Sequence, residues 1–238
     1  MYFESPLQEA ILIRRYKRFL ADIELSDGST RTIHCPNTGS MKNCQSKGSR
    51  IWFTESSNRN RNYANTWQII EVDETNLVGI NTNLANKLVA EAIAGKVIEQ
   101  LKHYTEVRTE VPYGNQNSRI DFLLSLDQAP HLCFVEVKNV SLALEQGVGI
   151  FPDAITIRGQ KHLQELIQVQ KLGHRAVLLF CVQHTGIEIV RAAGNIDPEY
   201  ARLLGFAARN GVEILAYRTQ FDIRDSAITI SDEISVDA

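Results

Sequence analysis

The sequence reads SRIDFLLSL at residues 118–126 and HLCFVEVKN at residues 131–139, and these two stretches decide the fold. Both are rich in the apolar and β-branched residues typical of strands, and the short polar turn at 127–130 joins them into a predicted hairpin. If the strands pair symmetrically about that turn, Asp121 lies directly opposite Glu136. Opposed residues in an antiparallel pair have Cβ atoms roughly 4.5–5.5 Å apart, so the two carboxylates would share one face of the sheet.

This face of the hairpin predicts chemistry on phosphodiester bonds. Two neighbouring carboxylates can hold one divalent cation, Mg²⁺ or Mn²⁺, because these hard cations prefer carboxylate oxygen and water. Lys138 follows Glu136 by two residues and therefore emerges on the same face, where it would orient a water or stabilise a phosphate's developing charge. The predicted catalytic set is Asp121, Glu136 and Lys138, with the metal on the two acids. The alternative is a structural salt bridge between Lys138 and one acid.

Composition bounds the class of protein. The chain has 238 residues, of which 44% are hydrophobic and 22% charged, as in soluble proteins of one large or two small domains. The N-terminal residues do not read as a signal peptide, and the longest apolar run, at 176–182, is too short to span a bilayer. The four cysteines have no CxxC spacing, which favours a reducing compartment. We therefore expect a cytoplasmic protein without a membrane partner.

The first 81 residues predict an all-β domain. A long strand candidate at 11–25 is followed by four shorter strand patterns and by no helical pattern. Five short strands without a helix favour a small barrel of the OB type, a shape that often binds nucleic acid.

Residues 82–238 predict a second domain of mixed α/β class. A helix at 83–102 precedes three strands, and helices at 156–172 and 198–210 flank a strongly apolar strand. This order, α-β-β-β-α-β, indicates a mixed sheet covered by helices. The acidic tail after Asp222 is expected to fray or to add an edge strand at 227–230.

Charge is unevenly distributed along the chain. The net charge is −3, yet residues 14–61 contain ten Lys and Arg against four Asp and Glu. We expect this region to contact nucleic-acid phosphates, unless it is only a solvated basic face. The candidate contacts are Arg14, Arg15, Lys17, Arg18 and Arg50.

The helix at 156–172 begins with a second group of donors. Arg158 and His162 are i, i+4 neighbours, and Gln160 and Lys161 flank them. A helix N-terminus with such side chains suits a phosphate, although a lone histidine on an amphipathic helix is more often structural. Asp153, just before this helix, is either a supporting acid or a turn residue.

A third metal-binding acid is sought on the first helix. Glu91 projects within roughly 20° of Leu84 and Ile98, on the face expected to pack against the sheet. A carboxylate there is costly to bury unless it is paired or bound to metal. Glu110, on the first strand of the domain, is the rival, and an exposed or lysine-paired acid is the alternative for either residue.

Other cofactors are not expected. His34, Cys35 and Cys44 would give zinc only three ligands at poor spacing. The sequence has no GxxxxGK[ST] phosphate loop, and the glycines at 147 and 149 do not make a dinucleotide fingerprint, so we expect no zinc and no nucleotide cofactor.

The Asp and Glu-x-Lys pattern resembles the PD-(D/E)xK nuclease superfamily over about residues 82–220. Five segments are more specific and resemble the bacterial sugar fermentation stimulation protein A (SfsA) family: HCPNTGSM at 34–41, SRIDF at 118–122, VEVK at 135–138, FPDA at 151–154 and RGQKHL at 158–163. They occur in that family's order and span most of the chain.

This resemblance implies an OB-like domain at 1–81, a PD-(D/E)xK-like domain at 82–238, and binding to single- or double-stranded DNA. It implies that the carbonyl of Val137 is a further metal ligand and that the extra acid on the first helix is Glu91. It also implies that Gln160 and the catalytic candidate Lys161 lie near the scissile phosphate. A non-catalytic DNA-binding regulator of sugar (maltose) metabolism is the alternative to a nuclease. RNA as the substrate and a homodimeric assembly also remain open.

Overall fold

The structure is a computed structural model that describes residues 1–58, 60–114, 118–127, 131–145 and 147–238. Three helices are present in these ranges: α1 (Ala85–Ala94), α2 (Ile157–Lys171) and α3 (Pro198–Arg209). The strands are β1 (Gln8–Tyr16), β2 (Leu20–Glu24), β3 (Thr30–His34), β4 (Arg50–Glu55), β5 (Asn65–Val72), β6 (Asn76–Gly79), β7 (Glu106–Tyr113), β8 (Ser118–Ser125), β9 (Cys133–Val140), β10 (Ala143–Glu145), β11 (Gly147–Phe151), β12 (Arg175–Val182), β13 (Ile187–Ala192), β14 (Glu213–Asp222) and β15 (Ala227–Asp237).

Strands β1 to β5 form the predicted barrel. Their order is β3-β2-β1-β4-β5, and a parallel contact between His34 of β3 and Thr66 of β5 closes the barrel, while β6 adds to β5. Large apolar side chains such as Phe53 and Trp67 are fully buried inside it. The mixed fold with an N-terminal OB barrel, expected from the sequence, is therefore confirmed.

The single long strand predicted at 11–25 is wrong. The chain reverses between β1 and β2 at Lys17 and Arg18, which both adopt left-handed backbone conformations with φ of 49° and 64°. Such angles are usually adopted by glycine. Because lysine and arginine occupy them here, the sequence contains no turn signal at this position.

The second domain contains a nine-stranded mixed sheet in the order β10-β11-β13-β15-β14-β12-β9-β8-β7. The predicted order of helix, three strands, helix and strand is present in α1, β7, β8, β9, α2 and β12. Helix α1 covers one face of the sheet, and α2 and α3 cover the other. The tail is not an edge strand, because β15 lies between β13 and β14.

The hairpin register predicted for β8 and β9 is confirmed. Phe122 pairs with Val135 and Leu124 pairs with Cys133, which is the register of a symmetrical four-residue turn. The turn itself was predicted at 127–130, and its residues 128–130 lie outside the described part of the chain. The recorded pairing ends at Phe122 and Val135, and one further step of the same register would set Asp121 across from Glu136.

The helices agree with the sequence in two cases out of three. Helices α2 and α3 begin after Thr156 and Asp197, whose side chains accept hydrogen bonds from the backbone N–H groups of Gly159 and Tyr200. Helix α1 is much shorter than the predicted 83–102 because it ends before Gly95. Within the described residues, no helix combines the length and apolar composition needed to cross a membrane.

The barrel and the large sheet are joined by hydrogen bonds. The backbone N–H of Gly79 donates to the carbonyl of Gln183 over 2.9 Å, and that of Leu77 donates to Oγ1 of Thr185 over 2.9 Å. Asp153, expected to be a supporting acid or a turn residue, accepts from the backbone N–H and the hydroxyl of Ser40. Its carboxylate therefore joins the two domains.

Candidate functional site

Asp121 is held by two hydrogen bonds from neighbouring elements. The backbone N–H of Val137 on β9 donates to Oδ2 over 2.7 Å, and Nδ2 of Asn86 on α1 donates to Oδ1 over 2.7 Å. Burial and the charge of Glu136 nevertheless raise the pKa of Asp121, against the effect of these donors. The orientation of the carboxylate is thus fixed by two donors, while burial and the nearby charge disfavour its ionised form.

Glu136 is nearly inaccessible, with 2% of its surface exposed. Its Oε1 accepts from Nζ of Lys138 at 2.5 Å and contacts Nδ1 of His162. Burial acts to raise the pKa of Glu136, but the contacts from His162 and Lys138 hold it below its ordinary value. The other oxygen, Oε2, is buried and has no hydrogen-bond partner among the described residues.

The structure therefore brings together Asp121, Glu136 and Lys138, as the hairpin predicts, and Val137 joins them through its backbone N–H. It also contains the lysine–carboxylate salt bridge named as the structural alternative. A nuclease site also permits this contact, because Lys138 projects from the same face of β9 as Glu136.

Further polar residues that the sequence analysis missed surround this cluster. Asn86 lies on α1, Tyr113 ends β7, Glu165 lies on α2 and Tyr200 lies on α3. Glu165 is 3% exposed and follows His162 by three residues, a spacing that places both on one helix face and could have identified it. Burial first, and then the charge of Glu136, raises the pKa of both tyrosines.

Glu165 packs tightly against the start of the β7–β8 connection. Gly114 has a φ of +69°, and a Cβ placed on it would overlap a carboxylate oxygen of Glu165. A side chain at position 114 would therefore have to displace the Glu165 carboxylate.

Glu91, predicted to complete the metal shell, is not brought into contact with this cluster. Its side chain is 54% exposed and forms an ion pair of 2.5 Å with the N-terminal ammonium of Met1. The rival Glu110 lies on β7 between the pairs Thr109–Phe122 and Val111–Ile120, across from Asp121. Glu110 is exposed and has a left-handed φ of 54°, an angle rare for a strand residue.

The start of α2 is arranged differently from the predicted phosphate site. Gln160 donates to both carboxylate oxygens of Asp197, and Asp197 also accepts the backbone N–H of Thr156. A carboxylate therefore lies where the phosphate was expected. Lys161 is half-buried, next to His162 on this helix.

His162 was predicted to contact nucleic acid, but only 4% of its surface is exposed. Its Nδ1 contacts Glu136, and Nε of Arg158 lies 3.4 Å from its Nε2. His162 therefore connects the buried carboxylate to Arg158, which is exposed, and does not itself reach solvent.

The basic residues of the barrel divide into two groups. Arg15 is half-buried, and its guanidinium donates to the backbone carbonyls of Arg18, Asn37 and Gly39, which ties it to the 37–40 loop. Arg14 and Arg50 are paired with Asp22 and Glu71. Lys17 and Arg18 are exposed at the turn between β1 and β2 and remain candidates for phosphate contacts.

A divalent cation fits the donor types of the cluster. Within the described residues, no three His, Cys, Asp or Glu side chains are close enough to form a complete metal site. However, Asp121 and Glu136 offer hard oxygen ligands, and the unpartnered Oε2 of Glu136 is a buried acceptor that a cation would satisfy.

Comparisons with known proteins cover both domains. The model of a family described as "SfsA N-terminal OB domain" matches residues 13–80, and one described as "Sugar fermentation stimulation protein RE domain" matches residues 83–225. A sugar fermentation stimulation protein homolog of Shewanella loihica is 58% identical, over 91% of this chain and 92% of that protein. The homolog of Shewanella frigidimarina is 53% identical, over 96% and 97%. A solved structure described as Pyrococcus furiosus SfsA in complex with Ca²⁺ has a TM-score of 0.86 at 25% identity, and the match covers 100% of this chain and 98% of that one.

Proposed function

This chain belongs to the sugar fermentation stimulation protein family, and we propose that it is a divalent-metal-dependent nuclease that cleaves phosphodiester bonds in DNA. The observation that carries the proposal is the convergence of Asp121, Glu136 and Lys138 at one end of the β8–β9 pair. This arrangement, on the strands that resemble the PD-(D/E)xK pattern, supplies two acids and one cation within one partly buried site.

Asp121, Glu136 and the backbone carbonyl of Val137 would hold Mg²⁺ or Mn²⁺. When bound, such a cation lowers the pKa of its water and neutralises charge on the phosphate. The Pyrococcus furiosus relative is described as a complex with Ca²⁺, a cation with the same preference for oxygen ligands. Glu110 is better placed than Glu91 to complete the shell, because it lies across from Asp121.

The protein's own groups have separable roles in this proposal. Asn86 and the N–H of Val137 fix the orientation of Asp121, and His162 fixes that of Glu136. Lys138, whose side chain is 13% exposed, offers its ammonium to the attacking water or to the charge that develops on the phosphate.

The alternative is a DNA-binding regulator of sugar metabolism that does not cleave. The contacts of Lys138 and His162 with one oxygen of Glu136 favour it, since a buried carboxylate in a purely structural cluster would be neutralised in this way. In that case the OB barrel would supply binding through exposed cations such as Lys17 and Arg18.

The deciding experiment combines metal calorimetry and cleavage of labelled DNA for wild type, Asp121→Ala, Lys138→Met and the control Glu91→Gln. We expect metal binding and cleavage by wild type and Glu91→Gln. Asp121→Ala should lose both, and Lys138→Met should retain metal binding but lose most cleavage. DNA binding without metal uptake or cleavage by wild type would instead establish the regulator.

A further inference from the structure

A polar cavity lies where the barrel meets α1. Its volume is about 260 Å³, just below the roughly 300–1,000 Å³ of pockets for drug-sized ligands. It is lined by residues of the barrel seam, by the 3₁₀ turn at Thr82–Leu84 and by α1. A cavity of this size has room for a single small polar ligand.

Residues that line this cavity carry buried polar atoms that have no hydrogen-bond partner among the described residues. Thr66 is 6% exposed, and its Oγ1 has no hydrogen-bond partner among the described residues. Nδ1 of His34 and Oδ1 of Asn81, which also line the cavity, are likewise buried without a described partner. Three such atoms together require an explanation, because buried polar groups are normally paired.

The seam of the barrel explains why these atoms meet. His34 of β3 and Thr66 of β5 are direct neighbours in the one parallel pair that closes the described barrel. Burial and then the charge of Arg61 lower the pKa of His34, which favours the neutral imidazole beside the cavity. Neutral imidazole and hydroxyl groups can both donate and accept, whereas Oδ1 of Asn81 only accepts. The ligand must therefore offer a donor to Oδ1 of Asn81, and it can meet Thr66 and His34 with either a donor or an acceptor.

Positive charge lies at the mouth of the same cavity. Arg61 and Lys87 line it and are exposed, and neither has an ion-pair partner among the described residues. Glu4 is the acidic residue of the described lining. The first turn of α1 also borders the cavity, and neither it nor the preceding 3₁₀ turn has a side-chain cap. Backbone carbonyls in and just before the 3₁₀ turn already accept the N–H groups of Thr82, Leu84 and Ala85, so the two cations and the positive end of the α1 dipole are what suit a phosphate.

We propose that this cavity binds one nucleotide of a nucleic-acid strand, with its phosphate at Arg61 and Lys87 and its polar base or sugar edge at Thr66, His34 and Asn81. This inference rests on the proposed function and extends it by naming a strand-binding subsite. Helix α1 joins the two sites, since Asn86 binds Asp121 and the adjacent Lys87 borders the cavity. One helix therefore contributes a residue to each of the two sites.

The test measures the affinity of a short fluorescent single-stranded DNA by anisotropy, in EDTA so that cleavage is excluded. The variants are Lys87→Gln, Lys87→Arg and Thr66→Val, and Lys171→Gln, at the exposed end of α2, is the matched control. Lys87→Gln should weaken binding about tenfold and lower the salt slope by about 0.7, the contribution of one phosphate contact on a single strand. Lys87→Arg and Lys171→Gln should bind like wild type.

Thr66→Val tests the interior independently of charge. It should weaken binding several-fold, leave the salt slope unchanged and leave the thermal midpoint unchanged, because an isosteric apolar group replaces an unsatisfied hydroxyl. Strands with and without a 5′-phosphate distinguish the source of the anion. If only phosphorylated strands respond to Lys87→Gln, the subsite holds a strand end, and otherwise it holds an internal phosphodiester.

The two proposals fail in different ways. Wild-type affinity in both Lys87→Gln and Thr66→Val would overturn the nucleotide subsite and leave the nuclease intact. Weakened binding in these variants, with no metal-dependent cleavage by wild type, would support the subsite and overturn the nuclease. A wild-type protein that binds no strand at all would overturn both.

Discussion

The backbone N–H of Val137 lies 2.7 Å from Oδ2 of Asp121, so the carboxylate of β8 is tied directly to the strand that carries Glu136 and Lys138. This bond joins the strand of the proposed metal-binding acid directly to the strand of the proposed catalytic lysine. The orientation of Asp121 therefore depends on the pairing of β8 with β9.

Metal binding should release protons. The pKa of Asp121 is raised by burial and by Glu136, so without metal this carboxyl stays protonated above its ordinary pKa of about 3.9. A cation favours the ionised form, and metal affinity should therefore increase as the pH rises through the raised pKa. Calorimetry in buffers of different ionisation enthalpy measures the release, which Asp121→Asn should abolish. A pH-independent affinity would contradict this account.

Removing the charge of Glu136 should destabilise the protein. In Glu136→Gln, Lys138 loses its buried partner, and breaking such a pair costs roughly 3–5 kcal/mol. The matched control Glu91→Gln removes an exposed pair and should change the free energy of unfolding by less than about 1 kcal/mol. Urea unfolding in EDTA measures both values. Equal effects would mean that Glu136 is not held as an ion.

The same pair should give acid sensitivity. The pKa of Glu136 is lowered, so its contribution to stability is present above the ordinary glutamate pKa of about 4.3 and is lost as the pH falls through the lowered value. Asp121 has the opposite sign, because its raised pKa makes the protein lose stability as the pH rises. Urea midpoints against pH should therefore fall at low pH less steeply in Glu136→Gln than in wild type. An unchanged slope would exclude Glu136 as the source.

His162 should support cleavage but not binding. Because it is buried against Glu136, His162→Gln should lower cleavage by tenfold or more while DNA affinity in EDTA stays unchanged. Lys17→Gln, at the exposed β1–β2 turn, should show the reverse pattern, with weaker binding and a shallower salt dependence. A loss of DNA affinity in His162→Gln would restore the phosphate contact that the sequence predicted.

Gly114→Ala should destabilise the protein more than Gly173→Ala, although both glycines have positive φ. Both Gly114 and Gly173 have positive φ, and alanine costs roughly 1–2 kcal/mol there. A Cβ at 173 meets no atom within 4 Å, whereas one at 114 overlaps the Glu165 carboxylate. Thermal midpoints should therefore fall clearly further for Gly114→Ala than for Gly173→Ala. Equal shifts would mean that Glu165 moves aside freely.

The sequence predicted the hairpin and its register because turn length and a two-residue period leave little freedom. Leu124 pairs with Cys133 as expected, and Asp121 and Glu136 follow from that pairing. Helices α2 and α3 were predictable for a different local reason, because Thr156 and Asp197 are residue types that favour the N-cap position.

The errors arose where a side chain or a turn depends on distant parts of the chain. A continuous helix over 83–102 sets Glu91 on the same face as Leu84 and Ile98. Helix α1 ends before Gly95, and the α1 side chain that binds Asp121 is Asn86. Gln160 and Arg15 reach Asp197 and the 37–40 loop, contacts that no local pattern reveals.

The hydrogen bonds between β6 and the segment at 183–185 have a consequence for dissecting the protein. In the whole chain, the amides of Leu77 and Gly79 and the carbonyl of Leu77 are satisfied by Thr185 and Gln183. A fragment that ends at residue 81 would leave these groups open on a strand edge, and open edges recruit other strands. The isolated barrel is therefore expected to self-associate and to be less soluble than the whole chain.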